Sequence, residues 1–437
     1  VSSGPAERIS SRGIVAVVIG NWLEFYDFLA FTFFAVMIAD AFFPGKAPIT
    51  RLLGALATFG AGFITRPVGA AIIGAYADRV GRRAALTLTL VLMAVGSGLV
   101  ALTPSYARIG IAAPILLVVA RLIQGFSCGG EVGPATTYLL ECAPPAKRAA
   151  VTAWQGYSQQ LAIIFGSLVG VVLAASLTKE QLYDWGWRVP FLLGILVAPV
   201  GLYIRRQLPE TLVLAATHRS GAVVLAELFR HHSRPVILGV LIVCGGTIST
   251  YVFNYMNTYA ITTLHLSATI GTTLTLTGGL TSIAGMAVGV WLDRFGRKRM
   301  LLWERAIFIA SIYPAYLVLT SPTATPVVIV AVNMLDNFLF AICIGSLYAF
   351  YAEAFPRSVR SSGLAVLYAL AVTIFGGTTQ FVVAWLIDWT QNPLVPAWYQ
   401  IAANLVSIVA TLFLSRHPEV VREAAAGVQR AELGAVG

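Results

Sequence analysis

The chain has 437 residues, of which 58% are apolar and only 11% charged, with a formal net charge of +10. Soluble domains carry about 25% charged residues, so the composition excludes the two or three soluble domains that this length would otherwise allow. In a soluble protein the positive excess would point to nucleic acid; here it sits in short segments between apolar runs and reads as membrane topology, with no nucleic-acid partner.

Apolar runs of the ~20 residues that a membrane helix needs recur throughout. Predicted spans cover 13–38, 51–75, 84–104, 110–140, 149–176 and 187–205, then 235–262, 268–292, 300–320, 325–353, 362–387 and 397–415. The runs are continuous instead of alternating over about ten residues, so helices are expected and not membrane strands. No small-residue cleavage site follows the first run, which is therefore read as a span. Cys128, Cys142, Cys244 and Cys343 lack metal-ligand spacing, so neither a disulfide nor a metal site is expected.

Charges inside the hydrocarbon each need a reason, because each costs several kcal/mol unless paired or hydrated. In span 1, Glu24 and Asp27 stand at i and i+3, with Asn21 one turn before. Two carboxylates this close repel in a low dielectric. They are candidate proton carriers; the other reading is that they neutralise Arg66 and Arg121. Arg66 in span 2 precedes Pro67 and lies about 18 Å from Asp78 at the helical rise, deep enough to clamp a carboxylate or to serve as a gate. In span 4, Arg121, Gln124, Cys128 and Glu131 fall on one stripe about 80° wide. Such a stripe faces a cavity or a partner. Arg121 is read as a bidentate ligand for a substrate carboxylate, or else as the partner of Glu24, Asp27 or Glu131. Gly125, Gly129, Gly130 and Gly133 would let other helices approach closely.

In span 5, Gln155, Ser158 and Gln159 share a face, with Trp154 and Gln160 nearby, and their amides need partners from substrate or from neighbouring helices. Residues 206–234 are too polar to span and read as a cytoplasmic linker. Span 7 places Tyr251, Asn254, Tyr255 and Thr258 on one face, suited to substrate or to interhelical hydrogen bonds. Asn333, Asp336 and Asn337 form a similar face in span 10. His265, His231 and His232 fall in loops or the linker and read as solvated.

With the N-terminus inside, alternate assignment of the loops puts 22 Lys and Arg on the cytoplasmic side, Arg305 among them, and four outside: Lys46, Arg51, Arg108 and Lys179. That bias predicts both termini inside and an even number of spans. The halves also repeat. GAYADRVGRR (74–83) matches GVWLDRFGRK (289–298), and ECAPPAKR (141–148) matches EAFPRSVR (353–360). Trp187 and Trp398 each open the last span of their half. Three marks at nearly one offset imply a duplicated six-span unit, divided as 1–205, a linker at 206–234, and 235–437.

The paired D-R-x-G-R-[RK] loops resemble the signature of the major facilitator superfamily. A closer resemblance is to its metabolite:proton symporter branch, carried by GNWLEFYDF (20–28), FGAGFITRPVGAAIIGAYADRVGRR (59–83), RLIQGFSCGGEVG (121–133), WQGYSQQLAI (154–163), DWGWRVPF (184–191) and FGG (375–377). WQGYSQQ and RPVGAAIIGAYADR look most like the citrate and tricarballylate members. The second half departs from the pattern at TTQ (378–380), where Thr-Pro is common, and at Asp336. The resemblance implies an all-α membrane protein with 12 transmembrane helices in two pseudo-symmetric six-helix bundles. It also implies a gating role for Asp78, Arg79, Arg82 and Arg83, for Asp293, Arg294 and Arg297, and for the flanking Glu141, Arg148, Glu353 and Arg360.

The expected activity is proton-driven symport of a small organic anion, a tri- or dicarboxylate such as citrate, by rocking two halves about a central site. The substrate-binding set is Arg121, Arg66, Asn21, Gln124, Gln155, Gln159, Tyr26, Tyr251, Asn254 and Tyr255, and the proton-coupling set is Glu24, Asp27 and Glu131. Three alternatives stand beside it: a betaine-type zwitterion carrier with Trp22, Tyr26 and Tyr251 cradling a cation, a shikimate-type symporter, and a metabolite receptor that does not transport. No P-loop, hydrolase or zinc signature occurs, so no enzyme and no cofactor are expected. Sodium coupling would call for an interrupted span, and none is expected. The partners are the anion, the proton and the lipid bilayer. The protein is read as a monomer in a bacterial inner membrane.

Overall fold

The computed structural model describes residues 11–80, 82–142, 148–206, 230, 233–292, 295–352 and 360–414, and every regular element among them is helical. Before residue 207 the elements are α1 (Ser11–Phe33), α2 (Ala35–Phe42), α3 (Pro48–Ile64), α4 (Arg66–Val80), α5 (Arg82–Leu102), the single turn α6 (Tyr106–Ile109), α7 (Ala112–Cys142), α8 (Arg148–Ser176), the short α9 (Lys179–Asp184) and α10 (Val189–Arg206). After residue 232 come α11 (Ser233–Thr262), α12 (Ala268–Leu292), α13 (Arg297–Leu319), α14 (Pro326–Ala352), α15 (Arg360–Ala371), α16 (Gly377–Thr390) and α17 (Val395–Phe413). A π-turn, Val372–Gly376, joins α15 to α16. The linker expected at 206–234 falls almost wholly outside the described residues.

Among the described residues, ten helical stretches are long and apolar enough to cross a membrane, and α1 with α2 makes an eleventh. The expected sixth span contributes a shorter apolar stretch, Gly186–Leu196, which runs from a 3-10 turn at Gly186–Arg188 into α10. Large apolar side chains such as Ile64, Leu196 and Val327 point outward and are more than two-thirds exposed. In water, surface of this kind drives association; hydrocarbon is the solvent that suits it.

One expected span is sharply bent, and two carry local irregularities. The first bends by 66° at Phe34. No Pro or Gly lies there. Instead Asn257 Nδ2 of α11 donates to the carbonyl of Phe33, taking an acceptor from the helical ladder, a recognised cause of kinks. The second span breaks at Thr65, because Pro67 has no N–H for the carbonyl of Phe63 and its ring crowds that turn. The third is the eleventh span, which carries the π-turn and continues through it as one helix. The expectation that no span is interrupted is therefore wrong for the first span. The placement of Arg305 in a cytoplasmic segment is wrong as well. It lies inside α13, 2% exposed, and donates from Nη1 to Asn404 Oδ1 (3.1 Å) and from Nη2 to the carbonyl of Ile242 (3.3 Å). Its closeness in sequence to Arg297, Lys298 and Arg299 hid that burial.

Among the first ten helices, α7 packs on α3, α4 and α5, and α1 on α8 and α10; among the rest, α12 packs on α14, α11 on α17 and α13 on α14. The two groups meet where α12 crosses α8, α16 crosses α3 and α11 crosses α1. Many of these contacts lie toward the end that carries the α2–α3 and α11–α12 connections. Asn257 meets Phe33 there, Thr269 Oγ1 lies 3.5 Å from the carbonyl of Ala174, and the Gly60 and Gly377 backbones touch.

Candidate functional site

Arg66 opens α4 directly after the break at Thr65, so the Pro67 interruption also sets its position. Thr65 Oγ1 donates to the carbonyl of Leu122 (2.8 Å), with the Gly62 carbonyl at 3.2 Å, pinning the break to α7. The helices touch closely: a Cβ on Gly125 would lie 1.6 Å from Gly62 O, and one on Gly129 would lie 1.9 Å from Arg66 O. The expected close approach at these two glycines is present; the side chains at 130 and 133 are outside the described set. The Arg66 guanidinium carbon sits 4.2 Å from the Phe63 ring centre and 4.4 Å from that of Phe28. Its Nε and Nη2 have no hydrogen-bond acceptor among the described residues.

Arg121 lies against the same Phe28 ring, at 4.3 Å, and is enclosed by Phe31 (4.7 Å) and Phe59 (5.0 Å). It is fully buried. Nη1 donates to Gln124 Oε1 (2.7 Å), and Gln124 Nε2 donates to Ser97 Oγ (3.0 Å). Ser97 stands beside Asp27, which also feels the charge of Arg121. No direct ion pair joins Asp27 to Arg121 among the described residues; the polar chain through Gln124 and Ser97 connects them. Asp27 packs its carboxylate against Gly194 of α10, where a Cβ would fall 1.8 Å from Oδ1. Glu24, one turn earlier and 1% exposed, acts electrostatically on Arg66 instead. The acidic pair thus divides between the two arginines.

Between the two helix groups lies a cavity of about 90 Å³. Arg66, Phe25 and Leu29 line it from α1 and α4, and Gly156, Gln159, Gln160 and Ile163 from α8. Thr247, Thr250, Tyr251 and Asn254 line it from α11, Met286 from α12, Phe340 from α14, and Tyr368 and Val372 from α15 and the π-turn. A smaller space of about 20 Å³ shares Gln160, Thr250, Asn254 and Phe340 with it and reaches Thr275, Ser282 and Asn337.

Of the expected substrate residues, this cavity gathers Arg66, Gln159, Tyr251 and Asn254. Arg121 and Gln124 lie behind its aromatic wall. Asn21 donates to Ser158 Oγ and to the carbonyl of Gln155. Tyr26 donates to the carbonyl of Pro190 (2.9 Å), and Tyr255 is packed into the core of the second group. Gln155, 8% exposed, is not among the lining residues, and Trp154 is half exposed on the outer surface. Thr247 and Thr250 were missed, although they continue the Tyr251 and Asn254 stripe by one turn. Tyr368 gives no signal in an otherwise apolar stretch. The side chains of Glu131, Asp78, Arg79, Arg82, Glu141, Arg148, Arg297 and Arg360, and the whole of Asp293, Arg294 and Glu353, lie outside the described residues. Arg83 is exposed at the start of α5.

Residues 18–378 match the Major Facilitator Superfamily. The chain is 36% identical to a citrate-proton symporter of Klebsiella pneumoniae, over 97% of both chains. It is 30% identical to a glycine betaine/proline/ectoine/pipecolic acid transporter of Dickeya dadantii, over 92% of this chain and 83% of that one. Among solved structures it resembles a D-xylose-proton symporter, with a TM-score of 0.73 at 20% identity over 93% of this chain and 98% of the other. That last likeness concerns the fold. The family match, the long relatives and the all-helical bundle agree: this chain is a multi-pass membrane protein and belongs to the Major Facilitator Superfamily.

Proposed function

We propose that the protein is a secondary active transporter that carries a small organic anion, citrate or a related tri- or dicarboxylate, together with protons. The observation that carries this reading is Arg66, which lines the cavity and whose buried Nε and Nη2 have no acceptor among the described residues. A planar fork with unpartnered N–H groups suits a carboxylate. Gln159, Gln160, Thr247, Thr250 and Asn254 offer neutral hydrogen-bonding groups for the rest of a polar solute. The citrate-proton symporter relatives support the substrate class. Asp27, tied to Arg121 through Ser97 and Gln124, is the proton site in this reading, with Glu24 beside Arg66. The mechanism is alternating access: two six-helix bundles, 1–205 and 235–437, joined by a linker at 206–234, rock about the cavity, and the repeated Asp-Arg loops near 78 and 293 gate it. The protein works as a monomer in a bacterial inner membrane, with both termini cytoplasmic.

A second reading has its own observation. Phe25, Tyr251, Phe340 and Tyr368 give the cavity an aromatic wall, suited to a quaternary ammonium, and betaine and proline transporters are also relatives. Purified protein in proteoliposomes separates the two. Labelled citrate should enter faster under an inward proton gradient, stop with an uncoupler and need no sodium, while labelled betaine stays outside. Betaine uptake without citrate uptake would select the zwitterion reading, and binding of either without counterflow would make the protein a receptor.

A further inference from the structure

Asp336, on α14, is 3% exposed and has no ion pair with any described basic side chain. Its contact is Ser311 of α13, whose Oγ lies 2.7 Å from Asp336 Oδ1. The same Oγ lies 2.8 Å from the carbonyl oxygen of Phe308, one turn earlier in its own helix. A serine hydroxyl has one hydrogen to donate. The Phe308 carbonyl already accepts the N–H of Ile312 in the α13 ladder, so the Ser311 hydroxyl is free to donate to Asp336 Oδ1, while Oδ2 has no hydrogen-bond partner among the described residues. A carboxylate buried with one neutral hydroxyl as its partner is costly, which favours the protonated form, with the proton on Oδ2 and Oδ1 accepting from Ser311.

The surroundings point the same way. α12 carries no titratable residue over its length. From α13, Tyr316 faces Asp336, while Glu304 and Arg305 lie two turns or so back along the helix, and Arg305 is held by Asn404 and Ile242. Tyr255 and Tyr259 of α11 meet Tyr316. Tyr368 of α15 faces the large cavity, and the Arg360 side chain of α15 is not among those described. Cys343, on α14 itself, is nearer Arg305 and Glu304. No counter-charge stands beside it among the described residues, and an intramembrane carboxyl without one is a functional group by default. The next residue, Asn337, lines the smaller of the two joined cavities, so Asp336 stands one position behind the wall of the solute path.

We infer that Asp336 is a second proton-binding site, separate from Asp27 and Glu24, which binds its proton as a carboxyl O–H while its other oxygen accepts from Ser311, and releases it once per transport cycle. An O–H bond forms on Oδ2 with a proton from one aqueous phase and breaks to give that proton to the other. On release the carboxylate keeps the Ser311 hydroxyl as its donor. Loading and release need water to reach Asp336 from one phase in one state and from the other phase in the other state, and the cavity lined by the neighbouring Asn337 is the route nearest to it. The transport part rests on the proton-driven reading above; the protonation part does not.

Two measurements on the purified full-length protein test this. In infrared difference spectra at neutral pH, Asp336→Asn should remove one carbonyl band of a protonated carboxylic acid, and Ser311→Ala should shift that band by removing the hydrogen-bond donor to its carbonyl oxygen. If Asp336→Asn does not fold, the Ser311→Ala shift decides alone. No lost or shifted band overturns the site. In proteoliposomes with citrate as the probe and the membrane potential clamped, Asp336→Asn should move one proton fewer per citrate. The accumulation ratio should then fall about tenfold for each unit of imposed pH gradient. An unchanged ratio means that the proton never leaves, and overturns the second half of the inference. If wild-type protein carries no citrate at all, the proposed function fails, and the infrared result still judges Asp336.

Discussion

At the scale of single residues, Arg66 and Arg121 look alike in the sequence and differ in the structure. Both share the Phe28 ring, yet only Arg66 reaches the cavity. Arg66→Ala should therefore weaken citrate binding in a detergent titration by at least about thirtyfold, the low end of about 2–5 kcal/mol for a lost buried charge contact. Arg121→Ala should instead impair coupling, because its bonds run to Gln124 and through Ser97 toward Asp27. Equal loss of affinity in the two variants would return Arg121 to the binding set. Asp27→Asn and Glu24→Gln, made singly, should keep exchange of labelled for unlabelled citrate, while at least one of them loses accumulation against a gradient. Accumulation by both would move the proton site away from α1. The arginines were legible because charge inside hydrocarbon is expensive wherever it occurs. Which of them faces the solute was not, because the phenyl rings that box Arg121 come from α1 and α3, dozens of residues away in sequence.

At the scale of elements, α7 holds the site together through glycines. Gly129 lies so near the carbonyl of Arg66 that any Cβ must push the α4 start aside. Gly129→Ala should then cost both stability, about 1–3 kcal/mol as overpacking, and citrate affinity, since the displaced residue is Arg66 itself. Gly98→Ala is the control, because its nearest neighbour is Ile195 Cδ1 at an ordinary 3.6 Å. Thermal unfolding in detergent with a parallel binding titration checks the pair; a Gly129→Ala variant as stable and as tight-binding as Gly98→Ala would mean that the helices slide apart at no cost. This feature could be read in advance from the Gly125 and Gly129 spacing, and the Thr65 break from Pro67. The bend at Phe34 could not, because its cause is an asparagine on α11. Arg305 was misplaced for the same kind of reason: three basic residues nearby suggested a loop, while its real partners, Asn404 and the Ile242 carbonyl, belong to distant helices.

At the scale of the whole molecule, the proposed mechanism requires the two helix groups to part at one end when they close at the other. In the described state they touch where α8 meets α12 near the α2–α3 end. A Cβ built on Gly170 lies 3.5 Å from the Cβ of Thr272, within the range that a disulfide spans. The double variant Gly170→Cys with Thr272→Cys should therefore cross-link under mild oxidation and fix this end shut. Packed groups of this kind switch between discrete arrangements more readily than they deform, so locking one contact should stop the cycle instead of slowing it in proportion. The oxidised protein should lose citrate uptake and exchange, keep citrate binding in detergent, and regain transport on reduction. Gly170→Cys alone brings its Cβ to 2.9 Å from Thr272 Cγ2, so the control is that each single-cysteine variant transports equally before and after oxidation. The buried native cysteines at 128, 244 and 343 are present in all three proteins and so do not bias the comparison. If the cross-linked protein still exchanges citrate, this end need not open for the solute to pass, and the rocking of two halves is the wrong description of the motion.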